Sequence, residues 1–148
     1  MKITRKQRKI LLCILSISIG LFAFFYWQNN SITISELEFK SDRVPKTFKG
    51  YKILQISDLH NKEFGSKQKK LLEKIENINP DIIVITGDLI DSSNTNIDIA
   101  MDLINEAILI APIYYVSGNH EAWSGSYEDL TYKLENSGVV VLDNQKIE

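Results

Sequence analysis

A single cysteine, Cys13, excludes an intramolecular disulfide and any cysteine-based metal site. Histidine is nearly as scarce, with only His60 and His120 in 148 residues. Residues 10–27 contain no charge, and residues 1–9 contain no acid. There is no internal repeat and no low-complexity tract. The basic surplus of a general nucleic-acid binder is missing as well. Five of the 17 basic residues, Lys2, Arg5, Lys6, Arg8 and Lys9, stand in the first nine positions, leaving 12 against 19 acids, a balance of −7. An acidic body behind a basic tip speaks for a membrane anchor followed by a carboxylate-rich domain. Hydrophobic residues at 44% and charged residues at 24% are ordinary for a globular chain.

The uncharged run "ILLCILSISIGLFAFFYW" (10–27) would reach about 27 Å as a helix, enough for a bilayer core with slight thinning. Tyr26 and Trp27 close it as interfacial aromatics. A cleaved signal peptide would end in a small-x-small site, and "FAFFYW" offers none. Against a buried core helix, the run is apolar all round, with no polar face, and has a basic block on one side only. The reading is therefore a basic cytoplasmic tip (1–9), a transmembrane anchor (10–27), a polar linker (28–33) and a domain from 34 to 148 outside the cytoplasmic membrane. Cys13 falls inside the anchor as a small membrane residue.

In the body, "ITISELEF" (32–39) alternates and predicts an edge strand. "YKILQIS" (51–57), "DIIVITG" (81–87), "IYYVSG" (113–118) and "VVVLD" (139–143) predict further strands. The unbroken apolar run of 81–87 predicts cover on both faces, as in a parallel sheet. Helices are predicted over 66–78, 96–110 and 126–138. Ser66 and Ser126 are their expected N-caps, and Gly138 the end of the third. The expected helix faces are Leu71, Leu72, Ile75 and Ile78, then Ile97, Met101, Ile104 and Ile108. Strands separated by single helices define an α/β class, a mostly parallel βαβαβ unit with right-handed crossovers.

Three polar clusters each follow a buried strand: "SDLHN" (57–61), "GDLID" (87–91) and "GNHEAW" (118–123). Ligands of open α/β sheets gather at the carboxyl ends of the strands. Asp58 and His60 are two apart, so both side chains can point the same way as the strand ends. Gly87 lets the chain turn tightly, so that Asp88 can reach the centre of a site and bridge two ions. Asn119 supplies an amide oxygen, and the adjacent His120 diverges from it and suits a second-sphere proton donor. Carboxylate, imidazole and amide together suit Mn, Fe or Zn. Two divalent ions there would activate water and clamp an in-line phosphoryl displacement. Asp91 reads as a loop-ordering residue, Trp123 as a cleft-lining or packed aromatic, and Asn61 as near the phosphate or in a turn.

The series Asp58-Leu59-His60, Gly87-Asp88, Gly118-Asn119-His120-Glu121 resembles the calcineurin-like metallophosphoesterases, over roughly residues 50–148. Its wording is most similar to the bacterial membrane-anchored or exported branch. The resemblance implies a two-sheet β-sandwich flanked by helices, of which this chain would hold the N-terminal half. It implies hydrolysis of phosphomonoesters, phosphodiesters or pyrophosphate linkages. By the same resemblance Asp58 and His60 bind the first metal, Asp88 bridges both, and Asn119 binds the second. His120 donates a hydrogen bond or proton to the phosphate or leaving oxygen. Glu121 orients His120 or ties down its loop.

The family pattern continues with another histidine and a G-H-x-H motif, and no histidine follows His120 here. The expectation is a C-terminal half missing from the chain as given, with impaired metal binding and little hydrolysis. One sheet face would then be left uncovered, inviting aggregation or pairing with a complementing C-terminal half. The competing reading is a non-catalytic fragment that binds metal weakly or pairs with a partner chain.

Overall fold

A computed structural model describes residues 4–142, 145 and 146. Lys2 of the basic tip and Asp143 of the expected last strand lie outside the described residues. The chain divides into two compact units, Met1–Glu38 and Phe39–Glu148.

The first unit is dominated by helix α1 (Arg5–Asn30). It begins on a reciprocal cap: Gln7 N donates to Thr4 Oγ1 at 3.2 Å, and Thr4 N donates to Gln7 Oε1 at 2.9 Å. None of its residues is buried. Among the described residues it is the one helix long and apolar enough to cross a membrane, by length and composition. The expected strand over 32–39 does not form, since residues 31–41 carry no regular structure. Alternation supplies only a side-chain pattern, and a strand also needs a neighbour for its backbone groups. Leu37 and Phe39 are 98% and 81% exposed.

The second unit is a four-stranded parallel sheet, β1 (Ile53–Ile56), β2 (Ile82–Thr86), β3 (Ile113–Val116) and β4 (Val140–Val141), in the order β1-β2-β3-β4. Ile53 pairs with Ile82, Ile83 with Ile113 and Tyr114 with Val140. The crossovers carry α2 (Lys69–Ile78), α3 (Ile97–Ala107), α4 (Asn119–Ser124) and α5 (Tyr127–Asn136). The strand order never reverses, so right-handed crossovers put their helices on one face. There α3 packs against α2 and α5.

The core lies under that face. Ile83, Ile85, Ile113 and Tyr115 of the sheet are buried with Ile75, Leu103, Ile104, Leu130 and Leu134 of the helices. Each such side chain contributes about 1.5–3 kcal/mol. On the opposite face Ile53, Gln55, Thr86 and Val116 are exposed, and Val84 and Tyr114 only half-buried. The expectation that 81–87 is covered on both faces is corrected: among the described residues cover is one-sided. The run is apolar throughout, and periodicity cannot tell which of its faces finds a partner.

Two caps differ from expectation. Ser66 opens a 3-10 turn rather than the helix, and Lys67 and Gln68 have φ of 53° and 60°, which delays α2 to Lys69. The buried Gln68 side chain holds this bend, accepting from Phe64 N at 3.0 Å and donating to Lys62 O at 2.8 Å. Ser126 precedes α5 but makes no side-chain cap. Helix α3 ends at Ala107, short of the expected 110, as the chain prepares for Pro112.

Candidate metal centre

All three polar clusters lie at the carboxyl ends of β1, β2 and β3. Beyond the strands, the first two loops stay stitched together. Asp58 N donates to Gly87 O at 3.2 Å, His60 N to Asp88 O at 2.9 Å and Asn61 N to Leu89 O at 3.2 Å. These bonds hold an unusual backbone, with φ of 55° at Asp58, 49° at His60, 54° at Asn61 and 51° at Asp88. A left-handed residue other than glycine costs about 1–2 kcal/mol, and such strain collects at functional loops.

The approach of the second and third loops depends on two glycines. A Cβ on Gly87 (φ 89°) would lie 2.6 Å from Gly118 N, and one on Gly118 would collide with the Asp88 carboxylate. Glu121, fully buried on α4, locks the same junction. Its Oε2 accepts from Asp88 N and Gly118 N, both at 2.8 Å. Its Oε1 accepts from Leu89 N at 2.6 Å and Ile90 N at 3.1 Å. His120 N donates to Asp88 Oδ1 at 2.8 Å. Among the described residues, the buried Asp88 side chain is thus aimed by a backbone N–H and not by a cationic partner.

Two groups of donors result. Asp58, His60 and Asp88 each offer a ligand atom, all within 4.8 Å of one another, and His60, Asp91 and His120 form a second such group. His60 belongs to both. Its Nε2 is 3.8 Å from Asp58 Oδ1, and its Nδ1 is 3.7 Å from Asp91 Oδ2. Asp91 Oδ2 is also 3.9 Å from His120 Nδ1. The two imidazoles meet edge to face with centroids 4.3 Å apart. Asn119 opens α4 with an exposed side chain, beside His120 in sequence. The exposed Trp123 ring lies 5.6 Å from His120.

Asp91 does order its loop, accepting from Ser93 N at 2.7 Å and from the Ser93 hydroxyl. Those two bonds hold its pKa below the ordinary aspartate value, and the facing histidines add to the effect. Its approach to both histidines is the feature that sequence reading misses. The signal available is the spacing in "GDLID", which returns a second carboxylate to the loop that carries Asp88. Asn61 is also more than a turn residue: it is buried, and its side-chain amide donates to Asn94 O.

The donors fit a divalent cation. Two carboxylates and an imidazole converge, and among the described residues one carboxylate is buried without a cationic partner and His60 Nδ1 is buried without a hydrogen bond.

Residues 51–146 match the calcineurin-like phosphoesterase family. The chain is 32% identical over 114 residues to the metallophosphoesterase YkuE of Bacillus subtilis, covering 73% of this chain and 38% of the relative. It is 27% identical over 134 residues to a Campylobacter jejuni metallophosphoesterase, covering 89% of this chain and 36% of the relative. A Danio rerio transmembrane protein with metallophosphoesterase domain is 26% identical over 113 residues, covering 75% of this chain and 26% of the relative. The chain therefore spans about a quarter to two fifths of the length of these relatives.

Proposed function

This chain belongs to the calcineurin-like phosphoesterase family, and from that premise we propose that it serves in a membrane-anchored, metal-dependent hydrolase of phosphate esters. The bonds opened are phosphomonoester, phosphodiester or pyrophosphate linkages. The observation that carries this reading is the meeting of Asp58, His60 and Asp88 at the ends of adjacent parallel strands.

In this reading Asp58 and His60 would hold a first divalent ion and Asn119 a second, with Asp88 shared; Mn, Fe and Zn all suit these donors. Such ions neutralise phosphate charge and make water a stronger acid. His120 has its Nδ1 facing the Ser92 N–H at 3.2 Å. In the neutral ring the hydrogen then sits on Nε2, which can give it to a phosphate or leaving-group oxygen. Glu121 fixes the second and third loops so that Asp88 and His120 keep their spacing.

Helix α1 is the membrane anchor, and the basic residues before its apolar run put the N-terminus in the cytoplasm and the second unit outside. The domain plan that follows is residues 1–9 as tip, 10–27 as anchor, 28–33 as linker and 34–148 as the metal-binding domain.

The test uses the full chain in detergent with Mn2+, assayed on p-nitrophenyl phosphate and bis-p-nitrophenyl phosphate. Turnover that Asp88→Asn abolishes is the expected result. Mn2+ binding without turnover favours a second reading, supported by the convergence of Asp58, His60 and Asp88 as ligand atoms alone. In that reading the chain is a non-catalytic module that binds metal weakly or pairs with a partner chain, such as a complementing C-terminal half. A chain that binds no Mn2+ overturns the first reading and the metal-binding form of the second.

A further inference from the structure

We propose that residues 39–52 form a docking surface by which the second unit lies against the anionic headgroups of the membrane that α1 enters. The inference rests on the membrane-anchored reading and extends it to the folded domain.

Charge in this chain is segregated. The stretch "FKSDRVPKTFKGYK" (39–52) carries Lys40, Arg43, Lys46, Lys49 and Lys52, a basic residue at every third position, against one acid, Asp42. These are five of the 12 basic residues that follow the first nine positions, which leaves 7 against 18 acids in the rest of the body. An acidic domain with one basic strip is attracted to an anionic surface through that strip alone. Among the described residues Arg43, Lys46 and Lys49 make no ion pair, so their charge is open to an outside partner.

The strip also carries rings. Every residue from 39 to 52 is exposed, Phe39, Val44, Phe48 and Tyr51 included. Phe39, Phe48 and Tyr51 each stand directly before a lysine. The Phe48 and Tyr51 rings pack edge to face, with centroids 5.3 Å apart. An aromatic ring beside a lysine suits the membrane interface, where the ring enters the headgroup layer and the amine stays at the phosphates. The chain brings such a surface with it. Asn30 ends α1, and the nine positions from there to Phe39 reach at most about 30 Å. Any bilayer that α1 enters therefore meets the strip at high effective concentration.

The strip is a folded feature. Val44 N donates to Ser41 O at 3.1 Å, Phe48 N to Pro45 O at 3.0 Å and Tyr51 N to Phe48 O at 3.0 Å. Its end is fastened to the amino edge of the sheet: Lys52 N donates to Asp81 Oδ2 at 2.7 Å, and Asp81 N to Lys52 O at 2.9 Å. The metal centre lies at the carboxyl edge, beyond the four residues of β1, which span about 13 Å. Docking by the strip leaves that edge facing away from the lipid.

The experiment uses the full chain reconstituted in vesicles of phosphatidylcholine, with or without phosphatidylglycerol. A spin label on Thr47→Cys, in a Cys13→Ser background, reports whether the strip sits in the headgroup layer or in water. Headgroup depth is expected in the anionic vesicles and water in the neutral ones. Salt at about 1 M, where screening acts within about 3 Å, should return the label to water. A basic side chain at an anionic surface contributes roughly fivefold. Lys46→Glu/Lys49→Glu is therefore expected to lower the ratio of docked to free strip at least tenfold. A label that stays in water in anionic vesicles overturns the proposal, as does equal depth in both vesicles or depth that charge reversal leaves unchanged. Spin coupling between chains in place of headgroup depth assigns the strip to a second copy and overturns it too. Flotation separates this from the anchor reading. A chain that does not float with neutral vesicles refutes the anchor. If it still floats with anionic vesicles, and Lys46→Glu/Lys49→Glu stops this, the strip is supported on its own.

Discussion

The buried carboxylate of Glu121 holds the backbone nitrogen of Asp88 at 2.8 Å, and the same side chain receives three more backbone N–H groups from Leu89, Ile90 and Gly118. One acid thereby fixes two of the three loops at the sheet edge. Removing it leaves three buried donors and one half-buried donor without this partner. Hydrogen bonds to a charged group are worth about 1.5–3 kcal/mol each but do not add independently. Glu121→Ala is expected to lower stability by about 3 kcal/mol or more, measured by thermal melts. Amide hydrogen exchange at Leu89 and Ile90 should accelerate beyond the global change. Glu121→Gln places an NH2 against N–H donors and should be nearly as harmful.

Gly118→Ala tests the closeness of the second and third loops. The new methyl would meet Asp88 N at 2.6 Å and collide with its carboxylate. Overpacking of this kind costs about 1–3 kcal/mol. The backbone of Gly118 is extended, so any L-residue could adopt it and the cost is steric alone. A shifted Asp88 should lower Mn2+ affinity by tenfold or more in a titration. Wild-type affinity in Gly118→Ala would mean that the tight junction does not position Asp88.

Much of this arrangement is legible in sequence because it is local. Apolar runs bounded by Gly, Asn and Asp mark β1, β2 and β3, and the polar groups that end them sit within a few residues of the strand. What is not legible arises between distant segments. Asp91 meets His60 across 31 positions, and the turn that aims it depends on Ser93 and on Asn61 gripping Asn94. Glu121 reads as a charged residue beside His120, yet its four backbone partners make it the best-satisfied buried acid of the site. Helix α4 is six residues long, too short to show a helical period. The alternation of 32–39 misleads because it describes a surface without a partner, and Ser66 misleads because the chain turns left-handed directly after it.

The one-sided sheet predicts opposite outcomes for two isoleucines. Ile83 in β2 has no exposed surface, while Ile53 on β1 is 62% exposed. Ile83→Ala creates a cavity and is expected to cost about 2–5 kcal/mol. Ile53→Ala changes a solvated side chain and should stay within about 0.5 kcal/mol. Urea or thermal melts of both variants settle the comparison. A large loss from Ile53→Ala would mean that something covers that face in solution.

Asp91 carries a pH signature whose sign is fixed by its surroundings. The two Ser93 bonds, and then the facing histidines, lower its pKa in the folded chain. The unfolded value is about 3.9. A depressed folded pKa contributes stability that is present above about pH 3.9 and is lost as pH falls through the lower folded value. Melting temperatures of wild type and Asp91→Asn should therefore differ at pH 5 and converge as the solution is taken more acidic. Ser93→Ala should narrow the difference at pH 5, because it removes the largest cause of the shift. A gap that widens on acidification would contradict the assignment.

Asp88→Asn separates the ion from the fold. An asparagine oxygen can still accept from His120 N, which Asp88 Oδ1 does at 2.8 Å, and the Asp88 N–H still reaches Glu121. The metal-free variant should thus melt close to wild type. The charge that faces Asp58 and His60 is gone, however, and a hard cation loses an anionic ligand. An ion that binds only the folded chain adds stability by mass action, about 2.7 kcal/mol at a hundred times its dissociation constant. Wild type should melt higher as Mn2+ is raised and return to its starting value with a chelator. Asp88→Asn should show almost no rise over the same range. Equal Mn2+-dependent rises in both proteins would place the ion somewhere other than the ends of β1 and β2.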